Sequence, residues 1–428
     1  MTDQDYMALA LDLAQKGAGW TSPNPMVGAV LVKQGRIIGQ GYHARWGDLH
    51  AERAALAACR EDPAGSTLYV TLEPCCHQGK QPPCTQAILE AGITRVVVGS
   101  GDPNPLVAGQ GLAQLRAQGV QVTVGVLAEE CRALNHVFFH YIQTGRPYVV
   151  LKYAMTLDGK LAAYTGASQW ITGEAARRHV HTQRGRYRSI LVGVGTVLAD
   201  DPQLTCRMEG GRNPLRLVCD THLRTPLTAQ VVKTAGEIPT CLATCVTQEG
   251  RLAPYRDLGV QILPLPQGAD GRVDLAALVT LLGKMGVDSV LAEGGAQLHW
   301  GLVQAGLVNR VQAYLAPKLL GGAGGQVPGG GPGLSPPGPG PLPLLPYPHP
   351  SGGGHSLGKR GDRVNVYRYR GGNGHRKGHP QGAPQRRGGD SGPGGAGGPP
   401  HRRQHRCQRG VPHRHRLLPR RLHRRRDA

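Results

Sequence analysis

His50-Ala51-Glu52 and, further along, Glu73-Pro74-Cys75-Cys76-His77-Gln78-Gly79-Lys80-Gln81-Pro82-Pro83-Cys84 are the stretches around which the first half of this chain is organised. His50, Cys75 and Cys84 offer one imidazole and two thiolates. Three protein ligands leave the fourth tetrahedral position of a zinc ion open to water, as in catalytic rather than structural sites. A metal held this way lowers the pKa of bound water from about 15.7 to about 7. Glu52 follows His50 by two residues, so on a helix the two side chains point in different directions. Glu52 is therefore expected to shuttle a proton rather than to bind the metal. A structural zinc knot would need a fourth ligand. Cys76 neighbours Cys75 and points away from it on an extended chain.

His-x-Glu followed by Pro-Cys-x-x-Cys is the signature of zinc nucleobase deaminases, with the Glu as general acid and base. Here eight residues, not two, separate Cys75 from Cys84. This longer loop, with Gly79 and Pro82-Pro83-Cys84, resembles the deaminase half of the bifunctional deaminase–reductases of riboflavin biosynthesis.

Around this motif the pattern is mixed α/β. Tyr6, Leu9, Ala10, Leu13 and Ala14 predict a helix over 5–16. Val27–Val32 and Arg36–Tyr42 predict a hairpin about Gln34-Gly35. Further strands are expected at 68–72, 95–99 and 120–126, and helices from His50 to Ala58, 85–90 and 112–118. The metal ligands then fall at the starts of two helices, whose positive ends favour thiolate. Residues 129–146 read as a connector.

From Tyr148 a second α/β unit begins, with strands expected at 148–153, 189–194, 215–220, 239–245, 260–265, 289–293 and 310–316. It lacks a Gly-x-Gly-x-x-Gly turn after a strand, so a Rossmann domain is not supported. Four patches stand out: Lys152–Gly159, Ser168–Thr172, Gly193–Arg207 and Glu293-Gly294-Gly295 before a helix over 297–304. Each alone is weak. Together, in this order, they resemble the reductase half of the same family.

The resemblance, which runs from about residue 1 to about residue 325, implies an N-terminal cytidine-deaminase-like three-layer α/β/α domain (1–145) and a C-terminal dihydrofolate-reductase-like α/β domain (146–325). It implies Zn2+ at His50, Cys75 and Cys84, with Glu52 as proton shuttle. Asn24 and Lys80 would contact substrate beside the zinc. NADPH would lie against Ala154, Trp170, Thr196, Asp200 and the Gly295–Gly301 segment. Ser168, Arg184, Leu204, Arg207 and Glu293 would hold substrate, with Arg184 and Arg207 suited to a phosphate as bidentate donors. Lys152 would polarise the sugar carbon that receives hydride. The implied substrate is a phosphorylated pyrimidine, deaminated and then reduced.

Length allows two or three domains. Ten cysteines form no short secreted framework, the start lacks a signal-peptide pattern, and no apolar run reaches membrane-spanning length, so a cytoplasmic enzyme is expected. A homo-oligomer is compatible with the sequence. The net charge of +21 is concentrated: residues 326–428 hold 18 Arg and 2 Lys against three Asp, a net +17, which leaves +4 for the first 325 residues. That balance argues against the main alternative, a nucleic-acid base deaminase with an accessory domain. The Gly-, Pro- and Arg-rich tail is expected to be disordered, and its abrupt change of composition reads as out-of-frame translation with the closing reductase strand lost. Within it only Arg363–Tyr367 has strand character.

Overall fold

The computed structural model describes residues 1–165, 170–322 and 366–367. Its first sheet grows from the expected hairpin. Helix α1 (Asp3–Gln15) starts at a capping box in which the Asp5 amide donates to Thr2 Oγ1 and the Thr2 amide donates to Asp5 Oδ2. Strands β1 (Gly28–Lys33) and β2 (Arg36–Tyr42) turn through Gln34 and Gly35, both at positive φ, as the twist of a two-residue hairpin demands. Then come α2 (Ala51–Ala57), β3 (Thr67–Leu72), α3 (Cys84–Glu90), β4 (Arg95–Ser100), α4 (Gln110–Ala117) and β5 (Gln121–Val124).

The strand order is β2-β1-β3-β4-β5, with β1 antiparallel to both neighbours and β3, β4 and β5 parallel. Side chains alternate across it as the period of two requires. Leu31, Val70, Val96 and Val98 pack with Ala51 and Ala55 of α2, Ile88 of α3 and Leu115 of α4. Val30, Val32, Tyr69 and Val97 pack instead on Tyr6, Met7 and Leu11 of α1. The result is the expected three layers. Helix α2 lies directly on β2: a Cβ on Gly41 would sit 2.3 Å from the Ala55 amide nitrogen. Only glycine permits that approach, and α2 carries Glu52 with His50 at its N-cap.

Residues 129–146, expected as a connector, form two helices instead, α5 (Ala128–Leu134) and α6 (His136–Thr144). Asn135 breaks them apart. Its side chain accepts from the Met26 amide and donates to the Met26 carbonyl, both at 2.8 Å, so the helix break fastens the Asn24 turn.

The second sheet contains β6 (Tyr148–Thr156), then α7 (Glu174–Arg186), β7 (Ser189–Gly193), α8 (Val194–Asp200), β8 (Leu215–Cys219), α9 (Gln230–Lys233), β9 (Thr240–Thr244), α10 (Glu249–Asp257), β10 (Gln261–Pro264), α11 (Leu275–Lys284), β11 (Ser289–Glu293), α12 (Ala296–Gln304), β12 (Arg310–Ala316) and β13 (Val366–Tyr367). The order is β10-β9-β8-β7-β11-β6-β12-β13, parallel except for β13. Near-continuous buried runs such as Ser189–Val192 and Thr240–Thr244 fit strands covered on both faces. Alternate residues meet α8, α9 and α10 on one side and α11 and α12 on the other.

The edge of β12, expected to stand open, carries the two-residue β13 from within the Arg363–Tyr367 stretch. The remaining tail expectations, disorder and a shifted frame, lie outside the described residues.

Helix α6 fastens to the second unit through close contacts with α11 and β12. A Cβ on Gly283 would lie 2.0 Å from the Gly145 carbonyl oxygen, and Tyr141 donates its hydroxyl to the Gly283 carbonyl at 3.0 Å. Nearby, Arg310 Nη1 lies 3.0 Å from His136 Nε2.

Candidate functional site

Three chain segments converge at the first site. His50 sits in extended conformation at the N-cap of α2, Cys75 lies in the loop after β3, and Cys84 is the first residue of α3. Two of the three residues thus sit at helix starts, while Cys75 does not. His50 Nδ1 is 3.4 Å from the Sγ of Cys75 and 3.4 Å from the Sγ of Cys84, and all three donor atoms lie within 4.8 Å of one another. A tetrahedral zinc with Zn–S of about 2.3 Å and Zn–N of about 2.0 Å separates N from S by roughly 3.5 Å, so the set fits that ion. Cys75 is poised as a thiolate, held down to about 4 by the Cys84 thiol and by His50, while Cys84, which donates to it, is pushed up.

Glu52 stands outside this donor set and is 4 % exposed. Burial, and then the neighbouring Cys75, raises its carboxyl to about 7. A group with that value can both take and give a proton near neutrality. Cys76 points away, towards the Leu106 carbonyl.

Asn24 reaches the rim of the site, with its Nδ2 3.3 Å from His43 Nε2. His43 Nδ1 lies 3.0 Å from the Leu49 carbonyl, which only a protonated Nδ1 can satisfy, so Nε2 is the free acceptor for Asn24. Burial lowers the His43 pKa. Lys80 Nζ sits 3.3 Å above the ring centre of Trp46 at the mouth.

Sequence reasoning missed three supports. His43 is one. Arg53 donates to the carbonyls of Pro82 and Pro83, fixing the chain just before Cys84. Glu73 is buried and accepts from the amides of Asp102, Gly109 and Leu112, tying the 102–112 loop behind Cys75. Each is a contact between distant segments with no local pattern to announce it.

The second site lies along the C-terminal ends of the parallel strands. A cavity of about 1830 Å³ is lined by Lys152, Ala154, Trp170, Arg184, Thr196, Asp200, Arg207, Gly295 and Gly301. Ser168 lies outside the described residues. Leu204 and Glu293 are buried and do not form the lining.

Glu293 lies behind the wall as its charge anchor. Arg184 donates from Nε to Oε1 at 2.8 Å and from Nη2 to Oε2 at 2.9 Å, and Lys152 Nζ is 3.5 Å from Oε2. Burial alone would raise the Glu293 carboxyl, but Arg184 and Lys152 outweigh it and hold the group at about 2. The pairing corrects the expectation of two free arginine forks. The fork of Arg184 is already engaged by a carboxylate, and Arg207 is the exposed one, its Nε 3.3 Å from His181 Nε2.

Trp170 stacks beneath Arg177, at 4.6 Å from ring centre to guanidinium carbon, and its carbonyl accepts from Lys318. Arg216, which sequence reasoning also missed, is completely buried. It donates to Thr240, Thr234 and the carbonyls of Gln203, Val231 and Ile238, so it pins the start of the Leu204–Arg207 loop.

A catalytic-type His/Cys metal centre on a three-layer sheet is thus joined in one chain to a parallel-sheet unit with a large cavity at its strand ends. Residues 1–100 match the cytidine and deoxycytidylate deaminase zinc-binding region, and residues 147–337 match the RibD C-terminal domain. The riboflavin biosynthesis protein RibD of Actinobacillus pleuropneumoniae is 53 % identical over 334 residues, 78 % of this chain and 89 % of the relative. That of Escherichia coli K12 is 43 % identical over 334 residues, 75 % of this chain and 89 % of the relative. The solved diaminohydroxyphosphoribosylaminopyrimidine deaminase/5-amino-6-(5-phosphoribosylamino)uracil reductase of Thermotoga maritima superposes with a TM-score of 0.75 at 37 % identity, covering 86 % of this chain and 98 % of its own.

The chain belongs to the RibD family of bifunctional riboflavin-biosynthesis enzymes and is both a deaminase and a reductase. Zn2+ and NADPH fit its two halves. Among the described residues no helix is long and apolar enough to cross a membrane.

Proposed function

We propose that the chain deaminates 2,5-diamino-6-(5-phosphoribosylamino)pyrimidin-4-one and then reduces the ribosyl group of the product to a ribityl chain. The division of labour is residues 1–145 for deamination and 146–325 for reduction, with 326–428 in neither. The observation that carries this reading is a buried Glu52 beside, but not within, the His50/Cys75/Cys84 donor set.

His50, Cys75 and Cys84 hold zinc, which when bound lowers the pKa of water and supplies a nucleophile. Glu52 takes the proton of the attacking water. It delivers that proton to the ring nitrogen and then carries the second water proton, from the added hydroxyl, to the departing amine, so water adds, ammonia leaves and a ring carbonyl remains. Asn24, oriented by His43, and Lys80 at the mouth hold the pyrimidine and its substituents.

In the second cavity NADPH supplies hydride to the sugar carbon. Lys152, its Nζ 3.5 Å from Glu293 Oε2 on the cavity wall, stabilises the charge that develops on the heteroatom of that carbon. Arg207 presents an exposed guanidinium for the substrate phosphate, with Arg184 in the wall of the same cavity. Ala154, Trp170, Thr196, Asp200 and the Gly295–Gly301 segment take the dinucleotide. The enzyme acts in the cytoplasm on a small molecule, without nucleic acid.

Ammonia release and NADPH oxidation, followed separately with and without a chelator, test this reading. Chelation is expected to stop ammonia release and to spare reduction of already deaminated substrate. Ammonia release that survives removal of the metal would overturn it. Salt-dependent RNA binding by residues 1–325 would favour a nucleic-acid substrate instead.

A further inference from the structure

A lysine's flexible stem does not by itself hold its ammonium in one place. Two groups flank that of Lys152. Glu293 stands on one side, but an Nζ–Oε2 separation of 3.5 Å exceeds the roughly 2.7–3.2 Å of a tight N–H···O bond. On the other side stands Tyr314, whose ring centre lies 5.6 Å from Lys152 Nζ. That is within the ~6 Å reach of a cation–π contact.

The sheet register sets this arrangement. Strand β6 lies between β11 and β12, and Lys152 pairs with Glu293 on one neighbour and with Gln312 on the other. Tyr314, two residues beyond Gln312, shares its face of the sheet. Tyr314 and Gln312 are buried and lie behind the lining of the cavity.

Helix α7 fixes the ring. Gln312 Nε2 donates to Gln183 Oε1 at 3.2 Å, Gln183 Nε2 lies 3.1 Å from His179 Nε2, and His179 Nδ1 lies 2.8 Å from the Tyr314 hydroxyl. An amide nitrogen only donates, so His179 Nε2 accepts, and Nδ1 carries the hydrogen that the Tyr314 oxygen receives. The spacings match, since four residues of helix span about 6 Å and two of strand about 6.7 Å. The next residue of α7, Arg184, grips Glu293. One helix thus braces both neighbours of the Lys152 ammonium.

We infer that Tyr314, braced by His179 and Gln183, is a positioning residue for the reduction: its ring face fixes the Lys152 ammonium where charge develops on the substrate. The inference rests on the reading of Lys152 as that stabilising charge. Electrostatic stabilisation works through groups already in place when the charge develops. A loosened ammonium therefore costs kcat rather than binding.

The test is a double-mutant cycle on NADPH oxidation by the full chain with deaminated substrate, run at high enzyme concentration so that slow variants are still read. Tyr314→Leu should lower kcat about tenfold and leave both KM values within about twofold. In a Lys152→Met background the same substitution should cost nothing further, because Tyr314 acts through Lys152. Tyr314→Phe keeps the ring and loses the hydroxyl, and His179→Leu removes the brace and leaves the ring, so each should lower kcat by about threefold. Wild-type kcat in Tyr314→Leu, or an equal further loss in the Lys152→Met background, would overturn the inference. If Tyr314→Leu no longer binds NADPH, the two milder variants decide, and wild-type kcat in both would overturn it. Wild-type kcat in Lys152→Met would sink the reading of Lys152 itself. A slow Lys152→Met beside an unimpaired Tyr314→Leu would sink the positioning role alone.

Discussion

Substituting Glu293→Ala removes the one carboxylate that compensates two cations behind the reductase cavity. The side chain is 8 % exposed, Arg184 is 15 % and Lys152 16 %, so water replaces little of what is lost. Two routes give the size of the effect. The folded protein holds Glu293 at about 2 against an ordinary 4.5, a preference for the charged form on the order of 3 kcal/mol. Breaking a buried pair by deleting one partner costs about 3–5 kcal/mol. Because the folded pKa lies below the unfolded one, this stabilisation is complete above about pH 4.5 and is lost as the pH falls towards 2. Urea unfolding of wild type and variant, with the two halves treated as separate transitions, measures the difference. A gap of about 3 kcal/mol in the reductase transition is expected at pH 7, narrowing between pH 5 and pH 3. A gap below about 1 kcal/mol at pH 7, or one indifferent to pH over that range, would refute the reasoning.

Cys84→Ser should abolish ammonia release while NADPH oxidation with deaminated substrate continues. Loss of both activities in a folded protein would contradict the two-site division. Gly283→Ala puts a methyl group 2.0 Å from the Gly145 carbonyl oxygen and should cost about 1–3 kcal/mol, read as a lower melting temperature.

The zinc centre was legible in the sequence because its spacing is local. His50 and Glu52 lie on one helix start, and Cys75 and Cys84 bracket one loop. Strands were legible for the same reason: the run at 310–316 becomes β12 over those residues, and the hairpin at Gln34-Gly35 turns where glycine permits. What escaped was tertiary. Arg184 and Glu293 stand 109 positions apart, and nothing near either predicts that one engages the other. Helix α7 buries only Ala176 and Gln183, so it presents no apolar stripe to read. Helices α5 and α6 were hidden by Asn135, which interrupts the period in order to bind Met26. His43, Arg53 and Glu73 act through backbone groups of other segments, and such contacts leave no trace in composition.

The most direct measurement is made on Glu52→Gln: zinc content of the purified protein together with ammonia release from the diaminopyrimidinone substrate. Gln keeps the shape and loses the titrating proton. One equivalent of zinc retained, with ammonia release reduced by roughly 10²-fold or more, is the expected result. Ammonia release near the wild-type rate would contradict a proton-shuttling Glu52, and zinc lost along with activity would make it a ligand instead.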